Sequence, residues 1–196
     1  TVVSKDTVLL HGTHREVERT IAHELCHVVV HLATENPYAG IPAWLDEGLA
    51  MRAEGPLEAT FSLYLGRAIE NGTLISVQSL SSPFSTDAEQ SYLSYAESYS
   101  LVEYLVSTYG KDRMFRLLDA FRRGATYDGA LEAVYGFDTD GLDRRWRLWL
   151  KAPVTTTART WSSLSASPNS SISSFLIVMV KAFILSGRFR VMVAIP

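Results

Sequence analysis

His23 and His27 stand four residues apart, with Glu24 beside the first of them, in the pentapeptide His23-Glu24-Leu25-Cys26-His27. On an α-helix this spacing stacks two imidazoles one turn apart on nearly the same face, so both reach a single metal ion. Glu24 is rotated off the line joining them. It can stand next to such an ion and hold a water without ligating the ion. Two neutral nitrogen donors with a carboxylate at their side are the parts needed for metal-assisted hydrolysis, the carboxylate taking the proton of the attacking water.

That chemistry requires the segment to be helical, and its flanks say that it is. Thr13 and Glu16 form a T-x-x-E capping box just ahead of the motif. Asn36-Pro37 ends the run. Val17, Ile21, Leu25, Val28 and Leu32 recur at spacings of three and four, which predicts an apolar stripe packed into a core. His23, His27 and Val30 fall on a second stripe. The plain alternative is a chance pentapeptide whose two histidines are hydrogen-bonded core residues.

A hydrolytic zinc takes three protein ligands and keeps one position open. The candidates for the third are His31, Cys26, Glu35, Asp46 and Glu47. His31 lies about 12 Å along a helix axis from His23, too far for a straight helix to close all three imidazoles on one ion with bonds of about 2 Å. It reads as a surface residue or a supporting one. Cys26 is the sole cysteine and reads as a small buried residue. Glu47 is the better choice. The segment Pro42-Ala43-Trp44-Leu45-Asp46-Glu47-Gly48 opens a second helix, with Pro42 near its first turn, and Gly55-Pro56 closes it. A helix-loop-helix of this length can fold back antiparallel and bring Glu47 opposite the histidines, with Gly48 allowing close backbone approach. Taken without the upstream motif, Asp46 and Glu47 are ordinary acids at a helix N-terminus.

His-Glu-Leu-Cys-His, followed by Glu47 within Trp44-Leu45-Asp46-Glu47-Gly48, resembles the gluzincin metallopeptidases. That group includes thermolysin-like enzymes and zinc aminopeptidases, the latter with a similar W-L-N-E-G segment. The organisation over residues 8–150 is most similar to the small peptidase MA-like domains. The resemblance implies one zinc ion held by His23, His27 and Glu47, Glu24 as general base, and a peptide or protein substrate. Gluzincins commonly stabilise the oxyanion with a Tyr or His from a later helix. Tyr95 and Tyr99, four apart and on one helix face, are the equal candidates here, with aromatic packing as the alternative for both. Ligating histidines usually donate their second ring nitrogen to an acceptor. Glu54, two turns beyond Glu47, is placed to take that role, and Asp46 only if its side chain turns inward. Both read as solvated acids. A zinc-binding but catalytically inactive module, or a peptide-docking helical module, would keep His23, His27 and Glu47 without requiring Glu24.

The chain has 196 residues, enough for one domain with a proper core plus a tail. A net charge of −3 offers no basic field for nucleic acid. One cysteine rules out an internal disulfide framework. The chain opens on Thr1 and a short apolar run, which predicts a fragment lacking its N-terminus, so the absence of a signal peptide is uninformative. Residues 8–10 read as a residual strand. Helices are predicted over 57–71, 87–109, 111–123, 128–135 and 139–150, with a serine-rich loop at 76–85. Leu101, Leu105, Phe115, Leu118, Phe121, Trp146 and Trp149 read as core. The expected fold is a mainly helical, zincin-like domain over 1–151 with at most a residual strand region.

From Ala152 the composition changes to a Thr- and Ser-rich linker, then to apolar runs at 175–180, 182–185 and 191–195. Lys181, Arg188 and Arg190 interrupt those runs, and a spanning helix wants about 20 apolar residues with few charges. Three readings stand for this segment: a degenerate membrane anchor, an amphipathic packing segment, or a reading-frame artefact. The anchor reading carries with it an extracytoplasmic or membrane-anchored location.

Overall fold

The computed structural model describes residues 2–4, 7–9, 14–38 and 40–151. A short antiparallel hairpin comes first: β1 (Val2–Ser4) pairs with β2 (Thr7–Leu9), Val3 opposite Val8. Eight helices follow among the described residues: α1 (His14–Thr34), α2 (Ala43–Glu54), α3 (Ala59–Asn71), α4 (Val77–Leu80), α5 (Ala88–Tyr109), α6 (Lys111–Arg122), α7 (Tyr127–Tyr135) and α8 (Thr139–Lys151). The mainly helical expectation holds. The capping residue Thr13, the linker and the 172–195 segment lie outside the described residues, and among those residues no helix is long and apolar enough to cross a membrane.

The second helix is the centre of the architecture. It packs against α1 on one side and α5 on the other. Trp44, Leu45, Gly48, Leu49, Ala50, Met51 and Ala53 are all buried, so most of α2 is enclosed by its neighbours, while Asp46, Glu47 and Glu54 meet the histidines of α1. Gly48 makes the α5 contact close. A Cβ built there would stand 2.3 Å from the Ser98 carbonyl oxygen and 2.6 Å from Val102 Cγ2. On α5 the facing residues are small. Ser94 and Ser98 are buried and return their hydroxyls to the Gln90 and Ser94 carbonyls, 2.8 and 2.7 Å away. That satisfies the hydroxyls within the helix and leaves its surface free for α2.

Helices α6 to α8 close the far side. Leu101, Leu105, Leu118, Phe121 and Trp146 are core residues, with Phe115 and Trp149 packed at its edge, as their spacing predicts. Trp146 Nε1 donates to Ser100 Oγ at 3.0 Å inside the core. The segment 72–77 is tied down by side chains: Arg147 donates to the Leu74 and Ile75 carbonyls, and the Val77 N–H donates to Asp143. Within the expected serine loop, α4 forms because Ser76 caps it, its hydroxyl accepting from the Ser79 N–H.

One expectation is overturned. Ile21, Leu25, Val28 and Leu32 are between 40 and 49 % exposed, and the buried face of α1 is Ala22, Cys26, Val29 and Val30. The packed stripe is the predicted one moved on by one position, about 100° around the helix. Hydrophobicity alone favoured the larger residues. The smaller set is inside because it lets α2 approach and brings the polar face of α1, with its histidines, against the acids of α2.

Candidate metal centre

Along α1, Arg19, His23, His27 and His31 follow one another at four-residue intervals and so share one face. Across from them α2 runs the opposite way and presents Glu54, Glu47 and Asp46. The result is a ladder of alternating bases and acids. Arg19 Nη2 donates to Glu54 Oε2 at 3.0 Å, and Glu54 Oε1 lies 2.6 Å from His23 Nδ1. His23 Nε2 and His27 Nε2 stand 3.5 and 3.6 Å from Glu47 Oε2. His27 Nδ1 is 2.9 Å from Asp46 Oδ1, and Asp46 Oδ2 is 2.9 Å from His31 Nε2.

The middle of the ladder is a triangle of ligand atoms. His23 Nε2 and His27 Nε2 are 3.0 Å apart, with Glu47 Oε2 at the third corner. Ligands at 2.0–2.1 Å in a tetrahedron around zinc are separated by about 3.3 Å. The three measured edges bracket that value. Glu47 Oε2 is buried without a hydrogen-bond partner. A carboxylate oxygen desolvated and unpaired is costly, and a cation placed between it and two imidazole lone pairs relieves that cost. The residues therefore fit a divalent cation.

Both histidines have their outer nitrogens fixed. A carboxylate only accepts, so Nδ1 of each ring carries the proton toward Glu54 or Asp46, and Nε2 is left to face the triangle. Burial opposes the charged form of His23, but the Glu47 and Glu54 carboxylates outweigh it and lift its pKa to about 9. Asp46 raises His27 in the same sense, against burial. Burial works to raise Asp46, yet the His27 and His31 rings hold it below the usual carboxylate range. Protons and a cation compete for the same Nε2 lone pairs, so a cation binds by displacing protons.

Asp46 and Glu54 are therefore engaged with the histidines instead of solvated, which corrects the reading of both as surface acids. The signal was in the spacing: bases every four residues on one helix, with acids two turns apart on the next. His31 is 64 % exposed and holds Asp46, a supporting residue as expected. His27, His31 and Asp46 also bring one ligand atom each within 4.8 Å of the others. That second grouping shares His27 with the first. Cys26 is fully buried, and burial, with Asp46 nearby, pushes its thiol up to about 12, which keeps it protonated and out of coordination. Glu35 is exposed beyond the end of α1.

The tyrosines separate. Tyr95 is half-buried, and burial together with the charges of Glu47 and Glu24 raises its pKa, which keeps its phenol protonated. Tyr99 is buried in a second apolar cluster with Met51, Leu57, Leu65 and Ala96, and its electrostatic neighbours are Glu103, Arg52 and Arg19. Although the two are one turn apart on α5, only Tyr95 has Glu47 and Glu24 among its electrostatic neighbours, while its ring packs edge-on against Phe84 at the border of the same cluster. Glu24 is exposed on α1 next to His23.

A family model described as Peptidase MA superfamily matches residues 12–152, which takes in every residue of the ladder and the helices behind it. The chain belongs to the Peptidase MA superfamily. No curated protein and no solved structure matches it. Membership makes a peptidase-like activity on peptide or protein the coarse functional assignment. In this Peptidase MA domain the histidines come from one helix and the acid from its antiparallel neighbour.

Proposed function

We propose that this Peptidase MA domain is a zinc-dependent peptidase that cleaves peptide bonds with an activated water. The observation that carries the reading is the triangle: two Nε2 atoms and one buried, unpartnered Glu47 oxygen, at separations of 3.0, 3.5 and 3.6 Å. His23, His27 and Glu47 would hold one zinc ion, leaving the fourth position open. Zinc bound there supplies Lewis acidity and lowers the pKa of a water from 15.7 toward about 7.

The chain's own groups do the rest. Glu24, next to His23 in the chain and outside the triangle, would accept the proton of the attacking water and pass it to the leaving amine. Tyr95 keeps its phenolic proton and donates a hydrogen bond to the carbonyl oxygen as negative charge develops on it. Glu54 and Asp46 hold the two imidazoles in the tautomer that leaves Nε2 free.

Purified protein is assayed for zinc content and for cleavage of a quenched-fluorescent peptide library, wild type against Glu24→Gln. The expected result is about one zinc per chain in both and hydrolysis in the wild type alone. Unchanged hydrolysis in the variant removes Glu24 as base. Zinc without hydrolysis in the wild type makes the domain an inactive zinc-binding module.

A further inference from the structure

The ladder ends, opposite exposed His31, on a base that touches no ligand atom. Arg19 Nη2 is 3.0 Å from Glu54 Oε2 and 3.3 Å from Glu58 Oε1, and its side chain is only 17 % exposed. The other oxygen of Glu54 lies on His23 Nδ1 at 2.6 Å. One carboxylate thus bridges a guanidinium and a ligand histidine, each of its oxygens committed to one of them.

We infer that Arg19 is a positioning residue for the metal: it anchors Glu54 so that Glu54 orients His23. The inference rests on the zinc-peptidase reading of the triangle. Glu54 is the last residue of α2, where the helix gives way to Gly55 and Pro56. A carboxylate at a helix end swings between rotamers unless something holds it, and a glutamate has three side-chain torsions to fix. The guanidinium is planar, permanently charged and rigid in its donor directions, so it selects one rotamer. Arg19 is itself pinned on α1 one turn before His23, so the anchor and the ring move as one body. The other ligand histidine has a different arrangement. Asp46 sits in the first turn of α2 and is steadied from the exposed end of the ladder by His31. The two histidines therefore lean on supports of unequal strength, and the Arg19 support is the less exposed.

The test measures zinc affinity by competition with a chromophoric chelator, on wild type, Arg19→Gln, Arg19→Lys, Glu54→Gln, the Arg19→Gln/Glu54→Gln double variant and Glu58→Gln. Thermal melts of the metal-free proteins run alongside. Glu54→Gln is expected to weaken zinc about 10- to 100-fold, the range for removing a partner of a ligand histidine. Arg19→Gln is expected to weaken it several-fold, Arg19→Lys less, and Glu58→Gln not at all. Added to Glu54→Gln, Arg19→Gln should have almost no further effect, because its influence passes through the carboxylate. If Arg19→Gln lowers the metal-free melting temperature but leaves zinc affinity at the wild-type value, Arg19 only staples the helices and the inference is overturned. Additive losses in the double variant overturn it too. A wild type that binds no zinc overturns the peptidase reading itself, and this inference with it.

Discussion

Glu54 Oε1 stands 2.6 Å from His23 Nδ1 across the antiparallel pair α1 and α2, although 31 residues separate them in the chain. With the matching contact of Asp46 on His27, it gives each ligand histidine its own carboxylate. The candidate metal centre is thus set by two helices that pair along their overlap, and each rung can be removed separately.

Asp46→Asn should weaken zinc about 10- to 100-fold while leaving the fold intact. The amide keeps one oxygen for His27 Nδ1 but turns an NH2 toward His31 and removes the negative charge that holds the His27 proton on Nδ1. Chelator competition checks this. Affinity equal to the wild type would show that a neutral oxygen orients His27 as well as the carboxylate does.

Tyr95→Phe and Tyr99→Phe separate the two tyrosines. Loss of an oxyanion donor typically costs about 10²- to 10³-fold in kcat. That fall is expected for Tyr95→Phe, with KM little changed. Tyr99→Phe removes a hydroxyl from the cluster around Leu57 and Leu65 and should leave kcat near the wild-type value. Steady-state kinetics on one cleaved peptide decides between them, and equal effects would sink the assignment of Tyr95.

Gly48→Ala should destabilise the domain by about 1–3 kcal/mol, the range for overpacking a filled contact. The added methyl meets the Ser98 carbonyl at 2.3 Å, and neither a backbone oxygen nor an adjoining helix moves cheaply. Because Glu47 is the preceding residue, zinc affinity should fall as well. Denaturant unfolding reads the first effect; a wild-type midpoint would mean that α2 and α5 are less closely packed than the structure has them.

Glu97 makes stability depend on pH. Its side chain is fully buried, Oε1 accepts from the Ile75 N–H at 3.1 Å, and Oε2 has no partner. Burial is the largest influence and raises its pKa to about 8, with the Ile75 N–H and Arg147 pulling it down and Asp143 pushing it up. The folded value lies above the unfolded one, so the native state holds a proton that the unfolded chain has lost. This contribution is complete below about pH 4.5 and disappears as pH rises through about 8, a change on the order of a few kcal/mol. Unfolding free energies of wild type and Glu97→Gln, compared between pH 5 and 9, should show the wild type losing stability relative to the variant. Parallel curves would contradict it.

Much of this protein was legible from residue order. Histidines four apart and a Trp-Leu-Asp-Glu-Gly segment within reach point to a candidate triangle of His23, His27 and Glu47, because helical periodicity converts sequence spacing into shared faces. Glycines 55, 72, 110 and 136 mark the helix ends for a similarly local reason, since each adopts a positive φ that other residues resist. Which face of α1 turns inward was not local. The apolar stripe through Ile21, Leu25, Val28 and Leu32 outweighs Ala22, Cys26, Val29 and Val30 in bulk, yet the smaller set is buried. The rotation of α1 answers to α2, whose acids pair with one particular face and whose backbone needs small neighbours. The same holds for Asp46, Glu54 and Arg19, and for Tyr95 against Tyr99. Their chemistry is written in their side chains, but whether a carboxylate meets water or an imidazole depends on a partner helix, and only tertiary packing supplies it.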